Sequence, residues 1–391
     1  MTTSNRLAIC YVVPGRDLVP GAGATRQALS LARALSLHAD VTLVFRRQLG
    51  EVTGEPFDVV ALEPNGREPA FDTAASHRAL ERFVEERCSR FGVVLEGGWS
   101  QSGKLTALCE QRGIAAVPIV DHLESGGWLA PLEAGRAWLA ASGRFLRRAT
   151  VVIAASEELK AAIVARWRVE PGRIVVIGPG VDRSHLFPQD QTTARQRLGL
   201  KPEHRVLLAG GLLDQDRDLT PVIEAVQRVG DPLLRLHVLG EGGQRAELEG
   251  LAGAGPAVTF HGRVGEDLLQ AYLAAADLCV AVERPDASLD DPPGEEAFTV
   301  RESLAAGLPV AVATDRVPHP LVRHLVSGFL IEPDLLAWVR FLQRDCPSRN
   351  TLRIMGQAAT ATPLEGVEPQ AEAYLAAAER ALHSAAAVPA R

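Results

Sequence analysis

Aromatic residues make up only 5% of this chain, with five Trp, three Tyr and eleven Phe. That is too few for the stacking platforms on which proteins carry single-stranded nucleic acid. Positive charge is not in excess either: 41 Lys and Arg face 48 Asp and Glu, for a net charge of −7. A general nucleic-acid binder with a basic face is thereby excluded. Cysteine is scarce and scattered. Cys10, Cys88, Cys109, Cys279 and Cys346 form no CxxC pair, which argues against a disulfide framework or zinc site and for buried thiols in a reducing cytoplasm. No apolar run approaches the roughly 20 residues that span a bilayer. The opening apolar run is broken by Pro14-Gly15, too early for a secretory leader. The P-loop lysine, the G-x-S-x-G elbow, the H-E-x-x-H helix and a Ser-His-Asp order are all missing, so the NTPases and hydrolases built on them have no support. No repeat recurs at solenoid spacing.

What is present is alternation. At 391 residues and 47% apolar content, the chain is long enough for two packed cores. Apolar runs at Arg6 to Val13, Val41 to Phe45, Val93 to Glu96, Ala116 to Val120 and Thr150 to Ala154 read as buried parallel strands. Helical periods separate them, as at Thr25 to Leu37 and Thr73 to Arg90. A second series opens at Arg205 and runs through strands at Arg235, Val258, Leu278, Pro309 and Phe329. This is the grammar of doubly wound α/β sheets, whose ligands bind outside the carboxyl ends of the strands. The punctuated segment from Gly178 to Asp190 reads as the hinge. The expected organisation is residues 1–185, residues 186–365 and a helix with a tail at 366–391.

Several segments carry candidate chemistry. The loop Gly21-Ala22-Gly23-Ala24-Thr25-Arg26 joins the first strand to the first helix. Its small residues let a ligand approach the backbone, and the helix start favours an anion. It is not the dinucleotide fingerprint, because Arg26 takes the third glycine position. A plain tight turn is the alternative. His122 follows the strand ending at Val120, where a site residue would project, though a satisfied loop histidine fits as well. Arg217 lies in the loop after the strand at Arg205. It reads either as a cation for a diphosphate leaving group or as a solvated surface residue. The richest stretch runs from Gly294 to Ala313. An acidic loop with Glu295 and Glu296 leads through Phe298 to a helix expected from about Thr299. That helix carries Glu302 and ends at Gly307-Leu308-Pro309. A carboxylate near a helix start suits a ligand rich in hydroxyls and phosphates. Arg136, Arg144, Arg147 and Arg148 lie among apolar residues and suit a solvated helix face, or else a peripheral membrane or acceptor surface.

Taken in order, these segments resemble glycosyltransferase family 4. The resemblance rests on Ala149 to Glu157, Arg173 to Asp182 with Phe187-Pro188, Leu236 to Gly242, Val258 to Val264, Leu269 to Asp277, and Glu302 with Gly307-Leu308-Pro309-Val310. It implies the GT-B fold: two doubly wound, Rossmann-like domains facing a cleft, with a C-terminal helix. It also implies a retaining transfer of sugar from a nucleotide diphosphate sugar to an acceptor hydroxyl, with no metal or other cofactor. The acceptor would be a glycan, a lipid-linked molecule or a small molecule, and no nucleic acid partner is implied. By resemblance, Glu302 would hold the ribose, and Phe298 and Thr299 would meet the diphosphate and sugar. Gly21 and Gly23 would lie near the phosphate or acceptor. His122 would lie near the donor sugar, with Glu295 or Glu296 supplying the family's other acidic residue. Three departures stand out. Gly294 occupies the register of the first family glutamate. Gly211 stands where the family has an arginine, and Arg217 where it has a lysine. A weaker hold on diphosphate is expected. A degenerate, non-catalytic binder of a sugar nucleotide or partner is the alternative, and a GT-B sugar-nucleotide epimerase is a third reading.

Overall fold

A computed structural model describes residues 6–63, 73–97, 104–122, 143–214, 217–283, 295–315 and 317–386, and of 73–77, 104, 295–298 and 385–386 the backbone alone. Two parallel sheets organise them. The first contains β1 (Ala8–Val13), β2 (Asp40–Phe45), β3 (Asp58–Ala61), β4 (Val93–Glu96), β5 (Ala115–Val120), β6 (Val152–Ala154) and β7 (Ile174–Val176). Their spatial order is β3-β2-β1-β4-β5-β6-β7. Helices α1 (Gly23–Ser36), α2 (Thr73–Arg87), α3 (Lys104–Gln111) and α4 (Glu157–Trp167) belong to it. Strands β4 and β5 are buried along their whole length, as layers of helix on both faces require. On one face α1 packs Leu29, Leu31 and Leu35 against Ile9, Leu43 and Val117; on the other, Leu80, Val84 and Leu105 cover Val12 and Val94.

After α5 (Gln191–Leu198), the second sheet takes up β8 (Arg205–Leu212), β9 (Leu234–Glu241), β10 (Val258–Gly262), β11 (Leu278–Val282), β12 (Val310–Ala313) and β13 (Gly328–Ile331). Its order is β10-β9-β8-β11-β12-β13. Helices α6 (Thr220–Val229), α7 (Arg245–Ala252), α8 (Glu266–Ala275), α9 (Glu295–Ala305), α10 (Leu335–Arg340) and α11 (Arg349–Thr360) flank it. Each sheet reverses its winding once, between β1 and β4 and between β8 and β11. Those switch points are where a doubly wound sheet opens a crevice.

Three features differ from the sequence reading. The edge strand β3 lies in a short, half-buried DVVA stretch that carries no strong apolar signal. Helix α9 begins at Glu295 rather than near Thr299, so Glu295 and Glu296 belong to its first turn. Acidic residues favour that end of a helix because the backbone dipole is positive there. The last helix, α12 (Val367–Ala386), does not stand apart. Its buried Ala371, Tyr374, Ala377, Ala378 and Ala381 join the core of the first sheet. All five cysteines are free thiols.

Candidate functional site

The two sheets meet at a cavity walled by Gly21, Ala22, Gly23 and Arg26 from one side and by Gly210, Gly211, Gly240, Arg263, Thr299 and Glu302 from the other. Gly21 explains how close the approach is. Its φ of +80° is left-handed, and a Cβ there would stand 2.8 Å from the Val264 carbonyl oxygen. Only glycine meets both demands without strain. On the opposite wall, a Cβ on Gly240 would collide with the Gly211 carbonyl, so β8 and β9 run close at the cavity floor. Helix α1 starts here with Ala22 at its N-cap, no side chain capping it and no acidic residue in the first turn. Its end therefore presents unsatisfied N–H groups at the cavity.

Glu302 is already engaged. Arg26 Nε donates to Oε1 at 3.1 Å, and Nη2 donates to Oε1 at 3.0 Å and to Oε2 at 2.9 Å. Arg26 Nη1 also donates to the Gly21 carbonyl at 2.6 Å. The paired side chains are only 15% and 13% exposed. A second link lies further along α1, where Arg33 bridges Glu55 at 2.7 Å and Glu266 at 3.0 Å. Both pairs tie α1 to the second sheet's helices. The space left between the walls is about 50 Å³. Small-molecule sites run from roughly 300 Å³ upward, and here Arg26 and Glu302, joined to each other, form part of the walls.

Gly21, Gly23, Gly211, Thr299 and Glu302, all expected from the sequence, line this one cavity. Arg217 is not among its walls; its Nη1 donates to Asp214 Oδ2 at 3.0 Å. The side chains of Glu295, Glu296 and Phe298 lie outside the described residues, as does Gly294. His122 belongs to a different group, at the carboxyl end of β5. Its Nδ1 donates to Asp121 Oδ1 at 2.7 Å, and Arg16 Nη2 donates to Asp121 Oδ2 at 3.1 Å. Burial pushes the Asp121 carboxyl up, but the His122 hydrogen bond and the Arg16 charge outweigh it and hold it below its ordinary value. Arg144, Arg147 and Arg148 are exposed while Leu146 between them is buried, so the apolar part of that segment faces the core; Arg136 lies outside the described residues.

Sequence reasoning did not single out four groups. Arg26 drew notice only for not being glycine, because its partner is 276 residues away. Glu283 follows β11 and accepts from Thr314 Oγ1 at 2.6 Å and from His319 Nε2 at 2.9 Å. His319 Nδ1 accepts the Leu321 and Val322 N–H groups, so its proton sits on Nε2. The rule that site residues project from strand carboxyl ends would have found Glu283. Glu96, which ends β4, is 1% exposed and accepts from Thr106 N and Oγ1 at 3.0 and 2.6 Å. Burial pushes it up to about 7, against those hydrogen bonds. Arg301 precedes Glu302 and lines a separate cavity.

Two facing parallel sheets, each with a glycine loop at its switch point and a shared crevice, define a GT-B protein. Solved structures agree on the fold. Sucrose-phosphate synthase from Thermosynechococcus elongatus superposes with a TM-score of 0.73 at 20% identity, over 97% of this chain and 100% of that one. Anabaena HepE in complex with UDP and glucose gives 0.71 at 16% identity, over 95% and 99%. Residues 21–185 match the family model described as Glycosyltransferase Family 4, and residues 203–344 match that of Glycosyl transferases group 1. The chain belongs to glycosyltransferase family 4. Among relatives, a D-inositol 3-phosphate glycosyltransferase of Nocardioides sp. is 30% identical over 303 residues, or 69% of this chain. Its counterpart in Geodermatophilus obscurus is 30% identical over 304 residues, or 72% of this chain. The aligned stretches span 62% and 64% of those two relatives' own lengths.

Proposed function

We propose that the chain transfers a sugar from a nucleoside diphosphate sugar to an acceptor hydroxyl, in the cytoplasm and with retention at the anomeric carbon. The observation that carries this is the position of Glu302. It stands in one cavity with the uncapped start of α1 and the glycine end of β8. A carboxylate accepts from a ribose diol, free N–H groups donate to phosphate oxygens, and glycines let both come close. Anabaena HepE has been solved with UDP-glucose, which makes a uridine nucleotide the first donor to test.

The Arg26–Glu302 pair sets the order of events. Three of the roughly four acceptor directions of Glu302 are taken by Arg26. A ribose diol gains two bonds there only if Arg26 withdraws. The freed guanidinium then faces the diphosphate, so one side chain changes partner from carboxylate to phosphate. Arg263 and the α1 terminus would add to the same positive field, in place of the arginine whose position Gly211 takes, and Arg217 remains a candidate cation for the diphosphate. In the transfer step, the bond from the anomeric carbon to the diphosphate oxygen breaks and a bond to the acceptor oxygen forms on the same face. The acceptor proton leaves with the diphosphate. Catalysis is positioning plus stabilisation of the leaving charge, with no resident metal. His122, its Nδ1–H fixed by Asp121, would turn Nε2 to the donor sugar. Glu295 and Glu296 remain candidates for the acidic position near that sugar.

Thermal unfolding with UDP, GDP, ADP and their sugars tests this, since a ligand that binds the folded state raises the melting temperature. At least one nucleotide is expected to do so; none doing so defeats the proposal. The Arg26 pair also favours a second reading, a binder that no longer turns over. Release of nucleotide from a bound donor separates the two.

A further inference from the structure

Helix α1 reaches across the cleft between the sheets twice, each time by charge. Arg26 meets Glu302 at the cavity, and Arg33, about two turns further on, meets Glu266 outside it. Glu266 is the first residue of α8. The turn that leads into it carries Arg263 and Val264, which line the cavity, and the Val264 carbonyl faces Gly21. One short stretch, Arg263 to Glu266, is therefore met both by the loop before α1 and by the helix itself.

Arg33 is oriented from its own side of the cleft. Its Nε and Nη2 donate to Glu55 Oε2 and Oε1 at 2.9 and 2.7 Å, a two-pronged pairing. The remaining nitrogen, Nη1, donates to Glu266 Oε2 at 3.0 Å and to Oε1 at 3.2 Å. Exposed ion pairs contribute little when two free side chains must be ordered to make them. Here Glu55 has already ordered one of the two, and Arg33 and Glu266 are only 24% and 27% exposed. Apolar packing does not back the contact. Among the described residues, the buried clusters of the first sheet draw on residues up to Ile177 and from Val367 onward, and those of the second on Val181 to Leu364. No such cluster spans the cleft. Salt screens charges that meet across a partly wet gap, and leaves the apolar cores on either side in place.

We propose that Arg33 is an electrostatic latch: clamped by Glu55, it holds α8 against α1 through Glu266 and so sets how often the cleft opens to admit and release its ligand. Arg26 changes partner when a ribose takes Glu302. Arg33 does not line the cavity and keeps Glu266, so the latch acts on the empty and the loaded chain alike. A gate of that kind slows entry and exit equally and leaves affinity alone. Removing the guanidinium does more than release the latch. It leaves Glu55 and Glu266, which Arg33 bridges, as like charges facing each other. Arg33→Met should therefore open the cleft further than Glu266→Gln, which removes attraction and repulsion together. The latch does not depend on what the cleft binds; its kinetic readout alone rests on the proposed donor site.

Solution X-ray scattering of the ligand-free chain reads the opening, and stopped-flow binding of UDP reads the gate. The wild-type radius of gyration should grow between about 0.01 M and about 1 M salt, as the screening length falls from about 30 Å to about 3 Å. At low salt Arg33→Met should already be expanded, Glu266→Gln less so, and Arg33→Lys, which keeps the charge without the fork, least. Far-ultraviolet circular dichroism should match wild type in all three; if Arg33→Met does not fold, Glu266→Gln carries the same comparison. Arg33→Met should bind and release UDP roughly threefold to tenfold faster at low salt, with affinity within about twofold of wild type. A wild-type radius that salt does not move, variants as compact as wild type at low salt, unchanged UDP rates, or an affinity that falls while the association rate holds overturns the latch. If no nucleotide binds, the donor proposal falls and the scattering alone decides the latch.

Discussion

Glu96→Gln should make the protein's stability less sensitive to pH. The carboxyl lies at 1% exposure at the start of α3, and burial raises it from 4.5 to about 7. Between those values the folded chain holds a proton that the unfolded chain releases. Stability from this group is therefore full below about 4.5 and is lost as pH rises through about 7. The difference corresponds to about 3 kcal/mol at 1.36 kcal/mol per pH unit. A glutamine keeps an oxygen for the Thr106 N–H and has no charge to desolvate. The stability of Glu96→Gln relative to wild type should thus rise by about 3 kcal/mol between pH 4.5 and pH 8. Urea unfolding at a series of pH values measures this, and other titrating groups cancel in the difference. A carbon-13 titration of the Glu96 carboxyl reads the same quantity directly. A pH-independent difference, or a midpoint near 4.5, refutes the reasoning.

Three further outcomes follow from the geometry. Arg26→Met should weaken UDP about tenfold, consistent with about 1.4 kcal/mol for a lost charged partner, and leave uridine no weaker, because uridine competes for Glu302 without needing the guanidinium; calorimetry with both ligands checks it. Gly21→Ala places a Cβ 2.8 Å from the Val264 oxygen at a φ of +80°; a cost of roughly 1–3 kcal/mol and slower turnover are expected, read by melting and by donor-release assays. His237 hydrogen-bonds His261 at 2.8 Å, and burial first, then the His261 charge, lowers it from 6.5 to about 4. Its contribution is present above 6.5 and lost as pH falls through about 4, so His237→Phe should flatten the acid side of the stability curve.

Strands with continuous apolar runs were legible without coordinates. The boundaries of β4 coincide with the sequence reading, and β8, β10 and β11 begin at the residues it named. Edge strand β3 was not, because four half-buried residues give neither alternation nor a full apolar run. The start of α9 was misplaced because acidic residues fit a loop and a helix start alike. Gly21, Gly211 and Glu302 could be named because loops after strands are where sites form. The Arg26–Glu302 pair could not, since it depends on how two sheets face each other. Arg33 was passed over for a similar reason. A cation draws notice only once the carboxylates on either side of it are visible.

The most direct measurement is the affinity of Glu302→Gln for UDP, set beside that of wild type, with the melting temperature of each as a check on folding. If Glu302 holds the nucleotide ribose, the variant should bind about ten- to a hundredfold more weakly, as expected for roughly 1.5–3 kcal/mol of charge-assisted hydrogen bonding. Equal affinity in a folded variant would mean that the cavity between the sheets is not the donor site.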